Sequence, residues 1–418
     1  VTLSPIKRLP DKDLGKFVDI VAQAYPGFGI KSKEDHQRIL KWLKGLNKID
    51  KGVVPYGLYR NGKLIGGYRL FDFDMTLFES RVSNGGGGLL AIDLKYKKEH
   101  AARELMEFFI KYYRRRGYPL ACLFAFRPDF YFKMGFGYGA KLFEYAFAAE
   151  EFPAWNDKRH IVDINEKEVK NMMACSDRYA RKTHGMFLRR PYEYRRFFRP
   201  GKHTVGYKNG SKIEGYINFE FKEGKGSTMF RQNLVIDEMV WEHREAFKEL
   251  IAFLRSQLDQ INRVVWVTSH DFMHFLPRDP RSETDSIIPI VGHPTARAGI
   301  GIMHRVINVE RLFAALKKHD FGGETVRLKM NIKDDFLPEN SGARIAVFDK
   351  GKVTLQKSGR TDCDISLGIA EFSSVIIGAV DFADLYEIGK AEISDERYLG
   401  RVNRLFHSET KPLTLSMF

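Results

Sequence analysis

The chain has 418 residues, 44% hydrophobic and 29% charged, with a formal net charge of +15. That length is too great for one hydrophobic core and predicts about two to four domains. The composition is that of a globular protein rather than a disordered or fibrous one, and no apolar run approaches the ~18 residues that span a bilayer. The first residues lack a charged segment followed by an apolar one, so no secretory leader is expected. Three cysteines, Cys122, Cys175 and Cys363, are spaced for neither a disulfide framework nor a zinc site, which predicts a reduced, cytoplasmic setting and no metal. The basic residues are scattered, with local groups at Arg114 to Arg116, Arg189-Arg190 and Arg195-Arg196. No nucleic-acid-binding motif accompanies them, so neither a nucleic acid nor a membrane is inferred as a partner.

Asp11 and Asp13 precede an apolar periodic run (Leu14, Phe17, Val18, Val21) that reads as a helix stopped near Pro26-Gly27. Ser32 and Asp35 can cap a second helix carrying Ile39, Leu40 and Leu43. Val53 to Arg60 and Lys63 to Phe73 read as strands joined by Asn61-Gly62, a pair that tolerates the positive φ angles of a two-residue hairpin. A third strand, Met75 to Val82, leads to the glycines 85 to 88. These glycines read as a loop or bulge, since the lysine and hydroxyl of a P-loop do not follow them.

Leu89 to Leu94 is an apolar strand running through a turn with Lys95, Lys97 and Lys98 into an amphipathic helix (Ala101, Leu105, Phe108, Phe109, Tyr112) that ends at Gly117. Pro119 to Phe126 has no alternation, as expected of a strand covered on both faces. Tyr131 follows on a short aromatic turn, and a strand from Lys141 to Ala148 closes a first unit near residue 150. A helix N-terminus presents unpaired N–H groups and partial positive charge to a phosphate, and the lysines add to that attraction. Taken singly, Tyr131 reads as a core aromatic before anything else, and the lysines read equally as a solvated face.

The next stretch repeats this plan. Tyr207-Lys208-Asn209-Gly210 leads to Gly215-Tyr216 at the same interval as Tyr59-Arg60-Asn61-Gly62 leads to Gly67-Tyr68. Leu234 to Asp237 answers Leu89 to Asp93, and the helix through Ala246, Leu250 and Leu254 with the strand Val264 to Val267 answers the rest, at an offset of about 145 residues. Where the first copy has lysines, the second has Trp241, Glu242 and His243. A glutamate opposes phosphate binding, so the second copy reads as scaffold. From about residue 291 the pattern becomes a helix, short alternating strands (Val326 to Ile332, Arg344 to Asp349, Lys352 to Gln356), further helices and an extended tail ending at Phe418.

Gly117-Tyr118-Pro119, Tyr131 to Gly137, His184-Gly185 with Leu188-Arg189, and the terminal Met417-Phe418 together resemble the Eis (enhanced intracellular survival) family. The resemblance implies an α/β (α+β) chain: a catalytic GNAT acyltransferase domain at 1–150, a degenerate second GNAT domain at 151–290 and a sterol-carrier-protein-like domain at 291–418. It implies an acetyl-CoA-dependent N-acetyltransferase working by direct attack in a ternary complex, with a small-molecule or peptide amine as acceptor and a hexameric assembly. By the same resemblance Leu90, Ala91 and Ile92 hold the pantetheine arm through their backbone. Lys98, Glu99, His100, Ala101, Ala102 and Arg103 hold the pyrophosphate, and Phe126 and Arg127 end the next strand beside the cofactor. Tyr131 is then the general acid and the α-carboxylate of Phe418 the general base.

Three residues depart from the family pattern. His100 replaces a glycine where the pyrophosphate loop comes closest, and its β-carbon crowds that approach. Gly27 and Met417 stand where acidic residues serve aminoglycoside acceptors, which argues against such an acceptor. The aromatic run Phe124, Phe126, Phe130, Phe132 and Phe136 predicts a more apolar pocket. Two alternatives stay open: a non-catalytic protein binding CoA or an apolar ligand, and a transferase of longer acyl or aminoacyl groups.

Overall fold

The computed structural model describes residues 5–282, 287–288 and 290–418. Its first stretch contains Ile6–Arg8 (β1), Leu14–Ala24 (α1), Lys33–Ile49 (α2), the hairpin Val53–Arg60 (β2) and Lys63–Leu77 (β3), and Ser80–Ile92 (β4). Ala101–Arg115 (α3), Leu120–Phe124 (β5), Pro128–Phe132 (α4) and Gly137–Tyr138 (β6) follow. The repeat comprises Lys141–Phe147 (β7), Ile161–Asp163 (β8), Val169–Lys182 (α5), Lys202–Asn209 (β9), Lys212–Lys222 (β10), Gln232–Trp241 (β11), Arg244–Arg255 (α6), Ile261–Thr268 (β12) and Arg297–Ile300 (β13). The remainder is Ile302–Val306 (β14), Val309–Ala315 (α7), Val326–Lys333 (β15), Gly342–Asp349 (β16), Lys352–Gln356 (β17), Cys363–Gly368 (β18), Ile369–Ile376 (α8), Phe382–Glu387 (α9), Ala391–Ile393 (β19) and Leu399–Phe406 (α10).

Among the described residues the strands form three sheets, ordered β1-β2-β3-β4-β5-β14-β6, β13-β7-β12-β11-β10-β9-β8 and β17-β16-β15-β18-β19. The chain divides into two compact units, one of residues 1–139, 302–409 and 417–418, the other of residues 140–301 and 410–416. In the first unit α3 turns Ala101, Leu105, Met106, Phe109, Ile110 and Tyr113 inward. They join Tyr68, Leu90, Leu123 and Tyr131 in one core. The apolar stripe of this helix thus seals one face of the β3-β4-β5 segment. In the second unit α6 buries Leu250, Ile251 and Leu254 against Leu234, Val264 and Trp266 in the same manner.

Three strand assignments differ from expectation. β3 is one strand through Leu77, where a third strand beginning at Met75 was expected, and the turn falls at Phe78, which has φ +53°. The glycines 85 to 88 lie inside β4 rather than in a loop. A β-carbon on Gly85 would overlap the Tyr113 ring, one on Gly86 the Phe73 ring and one on Gly87 the Tyr68 hydroxyl. The glycines are there because large aromatic rings lie directly on the strand. The strand Lys141–Phe147, expected to close the first unit, instead pairs with β12 and β13 in the second sheet. The place beside β5 belongs to Ile302–Val306, which pairs Ile302↔Phe124 through Val306↔Leu120.

That inserted strand carries Arg305, whose guanidinium donates to both Asp334 carboxylate oxygens at 2.9 and 2.8 Å with both side chains fully buried. Asp334 also accepts from the Leu337 amide at 2.9 Å and the Asn340 side chain at 3.2 Å. Breaking a buried pair from one side strands the other charge, so Asp334→Ala should cost about 3–5 kcal/mol. Combining Arg305→Met with Asp334→Leu should recover most of that loss. Chemical denaturation of the three variants checks this.

Candidate active site

β4 and β5 pair in parallel from Asn84↔Leu120 to Gly87↔Leu123. Beyond Gly87 the residues of β4 are paired with β3 alone, through Ala91↔Gly67 and Ile92↔Gly66. The register of β3 against β4 shifts between Gly67 and Arg69, and Leu89 adopts φ +56° at that point. This bulge turns β4 away from β5 and leaves main-chain groups of Leu89 to Ile92 on an open edge. A cavity of about 220 Å³ lies here, lined by Gly87, Gly88, Leu89, Leu90, Tyr131 and Phe418 together with a set of aromatic rings.

Tyr131 sits on α4, a single turn started by Pro128 at a first helical position. Its side chain is only 3% exposed. The ring meets Phe126, Phe130 and Phe136 edge-on at centroid distances of 6.1, 5.2 and 6.2 Å. Burial pushes its pKa upward, because an ionised phenolate would lack solvation. The group is therefore a proton donor across the neutral range and not a base. The Phe418 ring packs at 5.2 Å from Phe71, 4.7 Å from Phe73 and 5.2 Å from Phe124. A β-carbon on Gly88 would stand 3.2 Å from the main-chain carboxyl oxygen of Phe418. Glycine at 88 thus lets this carboxyl approach the open edge of β4.

The remaining expected residues fall in two groups. Leu90 lines the cavity, and its carbonyl accepts a 2.5 Å hydrogen bond from the Tyr25 hydroxyl. Phe126, 65% exposed, also lines it. Ala91 is buried on the opposite face with Phe17, Val18 and Leu43, and Ile92 packs against the α3 core; neither side chain reaches the cavity. Arg127 is bound to Asp129 at 2.6 Å and is not among the residues that line the cavity.

The turn before α3 forms the second group. Lys98 and His100 hold φ +66° and +61°, a conformation costly for residues with a β-carbon. Arg60 donates to the Glu99 carbonyl at 3.0 Å and to Glu104 at 2.9 Å, and pairs with the Glu99 carboxylate, which fixes the turn. Glu99 therefore serves Arg60. No side chain caps α3 at His100, and Lys95, Lys97 and Lys98 are exposed beside it. Ala101 is buried, Ala102 half-buried, and Arg103 lies over the Phe336 ring at 5.3 Å. The first-turn N–H groups of α3 make an anion-binding end. His100→Gly relieves the left-handed strain of about 1–2 kcal/mol against a glycine entropy cost of about 0.5–1 kcal/mol. The variant should be as stable or slightly more so in a thermal melt, and should bind CoA more tightly by calorimetry.

The repeat keeps the parting of its parallel strands, since β11 pairs with β12 only as far as Ile236↔Trp266, but it lacks the uncapped, lysine-flanked helix end. The helix α6 is capped by His243, whose ring accepts from the Ala246 amide at 3.3 Å, and Glu242 is bound to Arg178 at 3.0 Å. Glu238 on β11 is fully buried, ion-paired to Arg189 and hydrogen-bonded by Tyr216. Arg189 also donates to the Leu415 carbonyl and the Ser416 hydroxyl. The equivalent of the open site is thus closed by a buried ion pair that holds the C-terminal segment.

Sequence reasoning overlooked Tyr25, Phe28, Trp42, Arg69 and Phe71, all of which line the cavity. Arg69 left a signal, a cation inside the otherwise uncharged run of residues 64–71. Tyr25 left another, as the last large ring before the helix-stopping Pro26-Gly27.

Comparison with known proteins agrees with this geometry. Residues 5–139 match an acetyltransferase (GNAT) domain family, residues 185–299 a further acetyltransferase (GNAT) domain family, and residues 312–414 a sterol carrier protein domain family. No curated protein matches the chain. A GCN5-related N-acetyltransferase from Anabaena variabilis shares its fold at TM-score 0.81 and 19% identity, over 99% of this chain and 100% of that one. A probable N-acyltransferase from Enterococcus faecalis does so at 0.79 and 18%, over 99% of each. Eis1 from Mycobacterium abscessus does so at 0.77 and 18%, over 100% of each. At these identities the likeness shows a common fold.

The domains and the open β4 edge define the class: the chain is a GNAT-type acetyltransferase. With two GNAT domains in tandem and a C-terminal sterol carrier protein domain, it is an Eis-like tandem-GNAT protein.

Proposed function

We propose that the first GNAT domain transfers an acetyl group from acetyl-CoA to an amine, and that the repeat is scaffold. The observation that carries this reading is the parting of β4 from β5 after Gly87, with Tyr131 and the Phe418 carboxyl both at the gap. Residues fit for acetyl-CoA are present: an uncapped α3 N-terminus flanked by three exposed lysines for the phosphates, and the open edge of Leu89 to Ile92 for the amides of the pantetheine arm. When bound, acetyl-CoA supplies the acyl group as an activated thioester.

The Phe418 carboxylate takes a proton from the attacking amine nitrogen, and the Tyr131 hydroxyl gives one to the departing sulfur. Burial keeps Tyr131 protonated, so it holds the proton needed for that second task. Attack is direct. Cys122 is fully buried with its thiol pKa raised by desolvation, so it does not offer a thiolate for a covalent intermediate.

Calorimetry with acetyl-CoA, paired with a thiol-release assay over a panel of amines, tests the reading. Micromolar binding with amine-dependent thiol release is expected. Undetectable binding at millimolar acetyl-CoA would overturn it and favour a non-catalytic protein.

A further inference from the structure

The two faces of β4 at the start of the gap carry different chemistry. Successive residues of a strand point to opposite sides of the sheet. On one side, a β-carbon at Gly85 would overlap the Tyr113 ring and one at Gly87 the Tyr68 hydroxyl. On the other, a β-carbon at Gly86 would overlap the Phe73 ring and one at Gly88 would stand 3.2 Å from the Phe418 carboxyl oxygen. The base of the proposed reaction therefore lies on one face of β4. Tyr68 lies on the other, in the same core as Tyr131 and the apolar side of α3.

Tyr68 is 2% exposed, and like Tyr131 it lines the cavity. Its ring is held edge-on by Phe109 at a centroid distance of 5.3 Å. No described residue forms a hydrogen bond with its hydroxyl. Burial raises its pKa well above the ordinary phenol value, and the neighbouring Tyr131 raises it further, so the group stays a donor. A buried hydroxyl without a partner costs stability, and its presence calls for a reason. The repeat supplies the contrast. Tyr216 holds the matching place after Gly215, and its hydroxyl donates to the buried Glu238 carboxylate that pairs with Arg189. The tyrosine of the closed copy is bonded, and that of the open copy stands at the gap.

With the phosphates at α3 and the pantetheine arm along the open edge from Ile92 to Leu89, the thioester comes to Gly87 and Gly88. We propose that Tyr68 is a second catalytic donor there, its hydroxyl bonding the thioester sulfur alongside Tyr131 and on the side of β4 opposite the Phe418 carboxyl. This inference rests on the acetyl-transfer reading. The amine nitrogen forms a bond to the acyl carbon, the carbon–sulfur bond breaks, the nitrogen proton passes to the carboxylate, and the sulfur takes the Tyr131 proton. The Tyr68 proton is shared with the sulfur and stays on its oxygen. Hydrogen bonds to an ionised acceptor are roughly twice as strong as neutral ones, so this contact strengthens as charge builds on the sulfur and favours the transition state over the bound substrate.

Tyr68→Phe in the full-length protein tests this with three readouts. The first is a thermal melt without ligand, which should be unchanged or higher, because only an unbonded hydroxyl is lost. The second is the titration of the thiol of bound CoA, followed by thiolate absorbance with desulfo-CoA as the blank. Its acid dissociation constant should be about tenfold smaller in the variant, since a hydrogen bond to the charged form is gone. The third is thiol release from acetyl-CoA with the fastest amine of the panel, where kcat should fall about 10–100-fold, the worth of one hydrogen bond to a charged group, at an unchanged KM for the amine. Identical thiol titration in wild type and variant, with amine-dependent turnover intact, would overturn the role of Tyr68 alone. A shifted titration in a protein that releases thiol with no amine would uphold the contact while overturning acetyl transfer. Undetectable CoA binding would overturn both.

Discussion

Tyr131→Phe lowers kcat by about 10²–10⁴-fold, the usual span for a lost general acid, while leaving the melting temperature within a degree or two. The ring is held by edge-on contacts with Phe126, Phe130 and Phe136, and a phenylalanine keeps all of them. Only the hydroxyl is lost, so a fall in kcat with an unchanged melt isolates the proton. The pH dependence has a definite sign. Burial raises the Tyr131 pKa, so the donor stays protonated as the pH climbs past the ordinary phenol value of about 10. The wild-type rate should therefore show no alkaline fall from this residue between about pH 7 and 10. Stability behaves consistently: the folded phenol holds its proton where the unfolded one releases it, so the folded state loses stability only as the pH rises above about 10. An alkaline loss of kcat centred near pH 8, or an active Tyr131→Phe enzyme, would remove Tyr131 from its role.

Deleting Phe418 should lower kcat by about 10²-fold or more, on the same scale for a lost general base. Two things leave together: a ring packed against Phe71, Phe73 and Phe124, and the carboxyl that approaches Gly88. Phe418→Ala separates them, since it loses the ring and keeps a carboxyl at that position. A loss of about tenfold in the alanine variant and a much larger one on deletion would assign the main effect to the carboxyl. The assay is thiol release at saturating acetyl-CoA, with calorimetry to verify that cofactor binding is intact. If deletion leaves kcat unchanged, another base must be sought on the cavity wall.

Much of this architecture was legible because its signals are local. The Asn-Gly hairpin turns, the lysine-rich turn into an amphipathic helix and the interval from Asn-Gly to Gly-Tyr each depend on neighbouring residues. The glycines 85 to 88 misled because their cause is not local. They make room for Tyr68, Phe73 and Tyr113, which lie elsewhere in the chain. The cavity wall was hidden for the same reason: Trp42 and Arg69 meet only when α2 and β3 come together, and the cation at Arg69 does not by itself say which rings it joins. His100 was legible as a departure, and the structure shows its form, a left-handed residue that α3 tolerates at its uncapped end. The place of Ile302–Val306 rather than Lys141–Phe147 beside β5 left no trace, since both are short mixed runs of strand length and neither names its partner.

That placement sets a timetable for synthesis. The edge of β5 is completed by Ile302–Val306, which also carries β6 through Met303↔Tyr138 and His304↔Gly137. Residues 5–139, although they match a domain family by themselves, therefore lack the strand that joins β5 to β6. At ribosomal speeds of about 5–20 residues per second, the bare edge of β5 waits roughly 10–35 s for its partner. An unpaired apolar edge is a template for aggregation, and pairings distant in sequence form slowly. An excised 5–139 fragment should accordingly be insoluble or loosely packed, and the whole chain a better candidate for chaperone assistance than its domain sizes suggest.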